Sequence, residues 1–92
     1  MPETRFTIRW PDGQVDKCYS PSTVVLNFLA ADTTYPMADF VIRCRQALEQ
    51  ASARVEAKFG YRCTSAEAQL AEIESKASTF STSAGVTCLS IA

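Results

Sequence analysis

Two apolar stripes at helical spacing, separated by a single glycine-marked break, leave this chain few folds to choose from. Met37, Val41, Cys44, Leu48, Ala51 and Val55 recur at alternating steps of four and three residues, and Phe40 and Ala47 widen the stripe to the width of a core-facing surface. Arg43, Arg45, Gln46, Glu49, Gln50 and Arg54 fall mainly outside it, as a solvated face requires. Pro36 stands at the start, and Asp39 lies in the first turn, where the positive end of the helix dipole favours a carboxylate. Gly60 is a natural stop, because a left-handed residue after the last turn satisfies free carbonyls at little steric cost. The second stripe is Ala66, Leu70, Ile73, Ala77 and Phe80, and Thr64-Ser65-Ala66-Glu67 ahead of it reads as a capping box. The spacing thus predicts helices over about 36–59 and 64–80. So short a connection folds them back antiparallel, and Ala47, Ala51, Ala66 and Ala77 let their axes approach closely.

The two ends of the chain read as β-structure. Phe6, Ile8 and Trp10 alternate with Arg5, Thr7 and Arg9, and Trp10-Pro11-Asp12-Gly13 supplies turn chemistry, so residues 4–20 are expected to form a hairpin. Two registers compete. A type I turn with a glycine bulge pairs Trp10 with Gln14 and puts Asp16 beside Ile8 on one face. A tighter turn pairs Phe6 with Tyr19, Trp10 with Val15 and Arg9 with Asp16, which suits the side chains better. Pro11 lacks the amide that the tighter turn needs at its closing pair, which favours the bulged turn, with irregularity later in the strands repairing the faces. Ser20-Pro21 is a helix-entry signal, and residues 21–30 leave room for a short helix without a clean apolar face. Asp32-Thr33-Thr34 reads as loop and Ser81 to Gly85 as a small-residue linker. Val86 to Ile91 is a β-branched, alternating strand that should join the hairpin, since an isolated hairpin is marginal in water. The expected architecture is a single α+β domain over 1–92: a three-stranded sheet with one face under a helical hairpin.

Composition then removes whole classes of function. At 92 residues there is room for one small domain, and nine Lys/Arg against ten Asp/Glu leave a net charge of −1, without the field of a general nucleic-acid binder. The absence of histidine excludes Ser-His and Cys-His nucleophile pairs and every zinc pattern that needs imidazole. Three glycines, at 13, 60 and 85, make no phosphate-binding loop. The four cysteines form no CxxC pair and match no metal module, so reduced thiols, no metal and no cofactor are expected. Met1-Pro2-Glu3-Thr4-Arg5 has no apolar run, which makes a cytoplasmic location the expectation. The longest apolar stretch, Thr23 to Asp32, is far too short to span a bilayer.

What chemistry remains sits in two places. Arg5, Arg9 and Lys17 share or flank one sheet face as a local basic patch, with Trp10 at the hairpin tip as an aromatic platform and Tyr19 nearby. Such a surface suits a carboxylate, a phosphate or an acidic partner protein; the bland reading is a solvated face whose charges blunt the sheet edges. Cys63, beside Arg62 and just before the second helix, has the setting that lowers a thiol's pKa. Cys18 and Cys88 lie on strands expected to neighbour each other, a redox or ligand pair or simply two small strand residues. Cys44 belongs to the core stripe. Open sheet edges and a thin core also suit a homodimer.

Arg5-Phe6-Thr7-Ile8-Arg9-Trp10-Pro11-Asp12-Gly13, followed by Cys18-Tyr19-Ser20-Pro21-Ser22, resembles the small bacterial nitrogen-starvation response proteins of about 95 residues, and Tyr35, Ala38-Asp39-Phe40 and Ala53 to Tyr61 continue the likeness. The resemblance covers most of residues 2–75 and implies context: genes beside a nitrilase-type hydrolase, a radical S-adenosylmethionine protein, an acetyltransferase-like protein and a flavin-dependent oxidoreductase, linked to nitrogen limitation and nitrile use. It brings no catalytic residues. The expected function is a non-enzymatic accessory protein that binds the enzymes of that cluster or a small acidic metabolite through Arg5, Arg9, Trp10, Lys17 and Tyr19. The alternatives are a Cys-dependent or redox-responsive protein using Cys63 or Cys18, and a tail over 81–92 modified by the radical enzyme.

Overall fold

In a computed structural model, which describes residues 3–92, the chain forms a four-stranded sheet with two helices against one face. Met1 and Pro2, where the stretch read for a leader begins, lie outside the described residues. The elements are β1 (Thr4–Arg9), β2 (Val15–Ser20), a short 3₁₀ turn (Thr23–Asn27), β3 (Thr33–Pro36), α1 (Met37–Phe59), α2 (Thr64–Ala77) and β4 (Gly85–Ile91). The strand order is β2-β1-β4-β3, antiparallel throughout. No helix among the described residues is long and apolar enough to cross a membrane.

The hairpin takes the bulged register. The Trp10 amide donates to the Gln14 carbonyl at 2.8 Å, the Gly13 amide to the Trp10 carbonyl at 2.9 Å, and Gly13 sits at φ +88. Pairing then runs regularly from Arg9↔Val15 to Thr4↔Ser20, so Asp16 does face inward beside Ile8. The expected irregularity does not turn it out again; the register shift falls at Thr7/Ile8 against β4 instead. Asp16 is satisfied where it stands, accepting from the Trp10 indole at 2.7 Å and from Lys76 Nζ at 3.2 Å.

The fourth strand corrects the expected three. Residues 33–36, read as loop and helix start, pair with β4, and the Thr34 and Thr87 hydroxyls meet at 2.8 Å. A hairpin joined by β4 alone would leave the far edge of β4 bare. Threonines and an aromatic residue suit that edge, and Tyr35 packs into the core with its hydroxyl accepting from the Ala30 amide at 2.9 Å. The preceding turn is shorter than the room allowed over 21–30: its cap is Ser22 rather than Ser20, and the Ser22 hydroxyl accepts from the Val24 amide.

The helices run back to back as expected, with Arg45 reaching Glu74 at one end of the pair and Ser52 reaching the Cys63 carbonyl near the other. Ala47, Ala51 and Ala66 are fully buried between them, and Ile73 is among the core side chains. Gly60 ends α1 at φ +81, its amide donating to the Glu56 carbonyl. Two details differ. The capping box does not form: Cys63 is the cap residue, no side chain caps the helix, and Glu67 instead accepts from Arg62 at 2.9 Å. A nearby guanidinium competes for that carboxylate better than one backbone amide. Helix α2 also stops at Ala77, short of 80, where the Ser78 and Thr79 hydroxyls turn back to the Ser75 and Lys76 carbonyls and end the ladder. Phe80 is thereby released to stack on Trp10, ring centroids 5.9 Å apart.

Candidate functional site

Strand alternation decides which side chains reach the sheet's uncovered face. Phe6, Ile8, Cys18, Ser20, Val86 and Cys88 point at the helices and are buried. Arg5, Thr7 and Arg9 of β1, Val15, Lys17 and Tyr19 of β2, Thr34 of β3 and Thr87 of β4 are the alternate positions and stay wholly or partly exposed. The register sets Arg5 opposite Tyr19, Thr7 opposite Lys17 and Arg9 opposite Val15, while Arg9 faces Thr87 on its other side. The face is therefore a hydroxyl floor crossed by three cations.

Two of those cations, Arg9 and Lys17, differ from most of the others. Arg43 pairs with Asp39, Arg45 with Glu74, Arg62 with Glu67 and Glu56, and Lys76 with Asp16. Arg54 donates to the Ser22 hydroxyl, and Lys58 lies over the Phe59 ring. On the open face Arg5 stacks over Tyr19 at 5.1 Å and only brushes Glu3 at 3.8 Å. Among the described residues, no carboxylate comes within ion-pair distance of Arg9 or Lys17. A molecule of net charge −1 thus keeps a locally unneutralised positive strip on one surface.

Two of the candidate residues belong elsewhere. Trp10 is no surface platform: it is 3% exposed, stacked on Phe80, met edge-on by Phe40 at 5.9 Å and covered by Lys76 at 5.3 Å. It has the same inward parity as Phe6 and Ile8, and an indole of that size buries where a ring stack and a carboxylate for its N–H are available. Cys18 is 1% exposed, and burial, with Asp16 adding to it, pushes its thiol up to about 12, away from thiolate reactivity. Nor do Cys18 and Cys88 sit on neighbouring strands, because β1 lies between them. Two strand spacings, about 9.6 Å, exceed the reach of a disulfide. Burial likewise raises the pKa of Cys44 and Cys88.

Cys63 is the partly exposed thiol of the four. It lies in a groove of about 700 Å³ with Tyr19, Pro21, Val55, Phe59, Tyr61 and Arg62 in its walls. Burial first, then the adjacent Cys63 and Glu3, raise the pKa of the Tyr19 hydroxyl. The rings of Phe59 and Tyr61, 6.1 Å apart across Gly60, are more than half exposed at its mouth. Sequence reasoning missed that groove, since Phe59 and Tyr61 fall outside the apolar stripes, and it missed the Thr34–Thr87 part of the floor because β3 was read as loop. The alternation of Val86 to Ile91 was the available signal for Thr87.

Chemically, the open face can hold several negative groups at once, and among the described residues nothing on it pairs a nucleophile with a base. No group of three or more His, Cys, Asp or Glu residues that could hold a metal ion occurs among the described residues. No curated protein and no solved structure matches the chain. The family model described as nitrogen starvation-induced protein NitG does match, over residues 5–91, and so takes in every strand and helix but the first residue of β1. The chain belongs to that nitrogen starvation-induced family.

Proposed function

We propose that this chain is a non-enzymatic accessory protein of the nitrogen-starvation response, acting by binding a partner through the open face of its sheet. The observation that carries this reading is the pair of exposed, unpaired cations Arg9 and Lys17 beside Arg5 on one face, whereas Arg43, Arg45, Arg62 and Lys76 each meet a carboxylate. Unpaired like charges on adjacent strands cost stability unless something negative covers them. The enzymes of the gene cluster that the family resemblance implies are the partners of choice, with a small acidic metabolite as the other occupant of the same strip. Tagged protein expressed under nitrogen limitation is expected to retain such an enzyme, and Arg9→Glu to release it. Capture undiminished in both Arg9→Glu and Arg5→Glu overturns this assignment of the surface.

A cysteine-dependent reading has one observation in its favour, the Cys63 thiol beside the Tyr19 hydroxyl in the aromatic groove. It predicts rapid labelling of Cys63 by iodoacetamide at mildly acidic pH. Our expectation is slow labelling of Cys63 alone, with Cys18, Cys44 and Cys88 reacting only after denaturation, as peptide mass mapping would report. Modification of the tail finds less support, since residues 85–91 are an interior strand and Cys88 is fully buried.

A further inference from the structure

The three cations of the open face are strung along the strands rather than gathered at a point. Arg5 and Arg9 stand four residues apart on β1, about 13 Å of extended chain. Lys17 faces Thr7, midway between them, from the neighbouring strand. Each arginine is thus a diagonal neighbour of Lys17, roughly 7–8 Å away. A lone carboxylate or phosphate reaches one such head group, or two. It does not occupy the row. Successive cations advance along the strand direction by about 6.6 Å, which is the distance between alternate residues of an extended polypeptide. We infer that the open face takes an extended acidic segment of a partner protein, its carboxylates at alternate residues meeting Arg5, Lys17 and Arg9 in turn.

This deepens the partner-binding reading and rests on it. Complementary charge is the main argument, because no carboxylate of the chain itself comes within ion-pair distance of Arg9 or Lys17 among the described residues, although Asp16 and Glu72 line a cavity with Lys17. The rest of the face suits the same occupant. Thr7 and Thr87 offer hydroxyls between the cations, and Val15, 53% exposed opposite Arg9, offers an apolar contact to the intervening side chains. The arrangement also has a signature in the free protein. With only Glu3, 3.8 Å from Arg5, to offset them, the three cations repel, so an acid at the middle position should pair diagonally with both arginines and stabilise the fold while destroying the site.

The experiment uses the full chain and a fluorescently labelled, end-capped nine-residue peptide in which glutamate alternates with threonine. Two comparisons accompany it: a peptide of the same composition with its glutamates in one block, and citrate as a small polyanion. The alternating peptide should bind at least about tenfold more tightly than the block peptide, with an affinity that falls as salt rises. Lys17→Glu should weaken it by about tenfold or more while raising Tm by about 2–5 °C, and the raised Tm itself shows that the variant folds. Arg9→Gln should weaken it without changing the secondary structure seen by circular dichroism. The proposal is overturned by equal binding of the two peptides, by citrate displacing the alternating peptide at equal carboxylate concentration, or by binding indifferent to Lys17→Glu. If Lys17→Glu still retains a partner from nitrogen-limited cells, the accessory reading stands and the acidic-segment proposal fails.

Discussion

Phe40→Ala is expected to remove about 3–5 kcal/mol of stability, the usual cost of truncating a fully enclosed phenylalanine. A chain of 92 residues has roughly 5–14 kcal/mol in total, so the variant should lose between about a fifth and all of that margin. Phe40 stands in the first turn of α1 with no exposed surface, its ring edge against Trp10 at an interplanar angle of 79°. Trp10 in turn stacks on Phe80, so the cavity opens at the point where the hairpin, α1 and the segment after α2 meet. Neighbouring strands and helix cannot collapse into it without breaking the indole's bond to Asp16. Urea titration should show a lower midpoint with an unchanged slope. A loss below about 1 kcal/mol would mean that Phe40 is not enclosed as described.

Alkaline pH is the second strong lever. Burial holds the Cys18 thiol up to about 12 from 9.0 and raises Cys44 and Cys88 as well. Protonated thiols in the folded state favour folding fully only while the unfolded chain also keeps its thiols protonated. Above about pH 9 the unfolded chain ionises and the folded one does not, so stability falls as pH climbs from 9 toward 12. At pH 10.5 Cys18 alone should cost about 2 kcal/mol relative to pH 7.5, and the other two buried thiols act in the same direction. Urea melts under reducing conditions at the two pH values measure the loss. Cys18→Ala isolates the cause from lysine or tyrosine titration, since it should lower stability at neutral pH yet flatten the alkaline fall. An equally steep fall in that variant would remove the buried thiol as its source.

The helical hairpin was legible because its signal is redundant. Six stripe positions in α1 agree on one face, and Gly60 has a conformation that other residues adopt only with strain. The hairpin register was legible for a backbone reason, the missing amide of Pro11, although side-chain pairing argued the other way. Tertiary competition accounts for most of the rest. Four residues of β3 carry too little periodicity to be recognised alone and become a strand because β4 has an edge to fill. Trp10 opens a proline-containing turn, where exposure is the ordinary expectation, yet Phe80 arrives from seventy residues further on to cover it. The capping box fails because Arg62 claims the glutamate that the motif requires. For the site, strand parity alone already grouped Arg5 with Arg9 and Lys17 with Tyr19. What parity could not show is which of these cations find an acid within the folded chain, since that depends on partners brought in by tertiary contact.

The place of β4 has a consequence for how the chain comes into being. The strand latest in chain order among the described residues, β4, is inserted between β1 and β3, and the residue 92 carbonyl and amide still bond to Arg5. Until it emerges, the nascent chain holds a finished helical pair above two bare strand edges that have nothing to join them. The sheet therefore closes only once β4 has been made, and a chain that stalls before it exposes both edges to neighbouring chains.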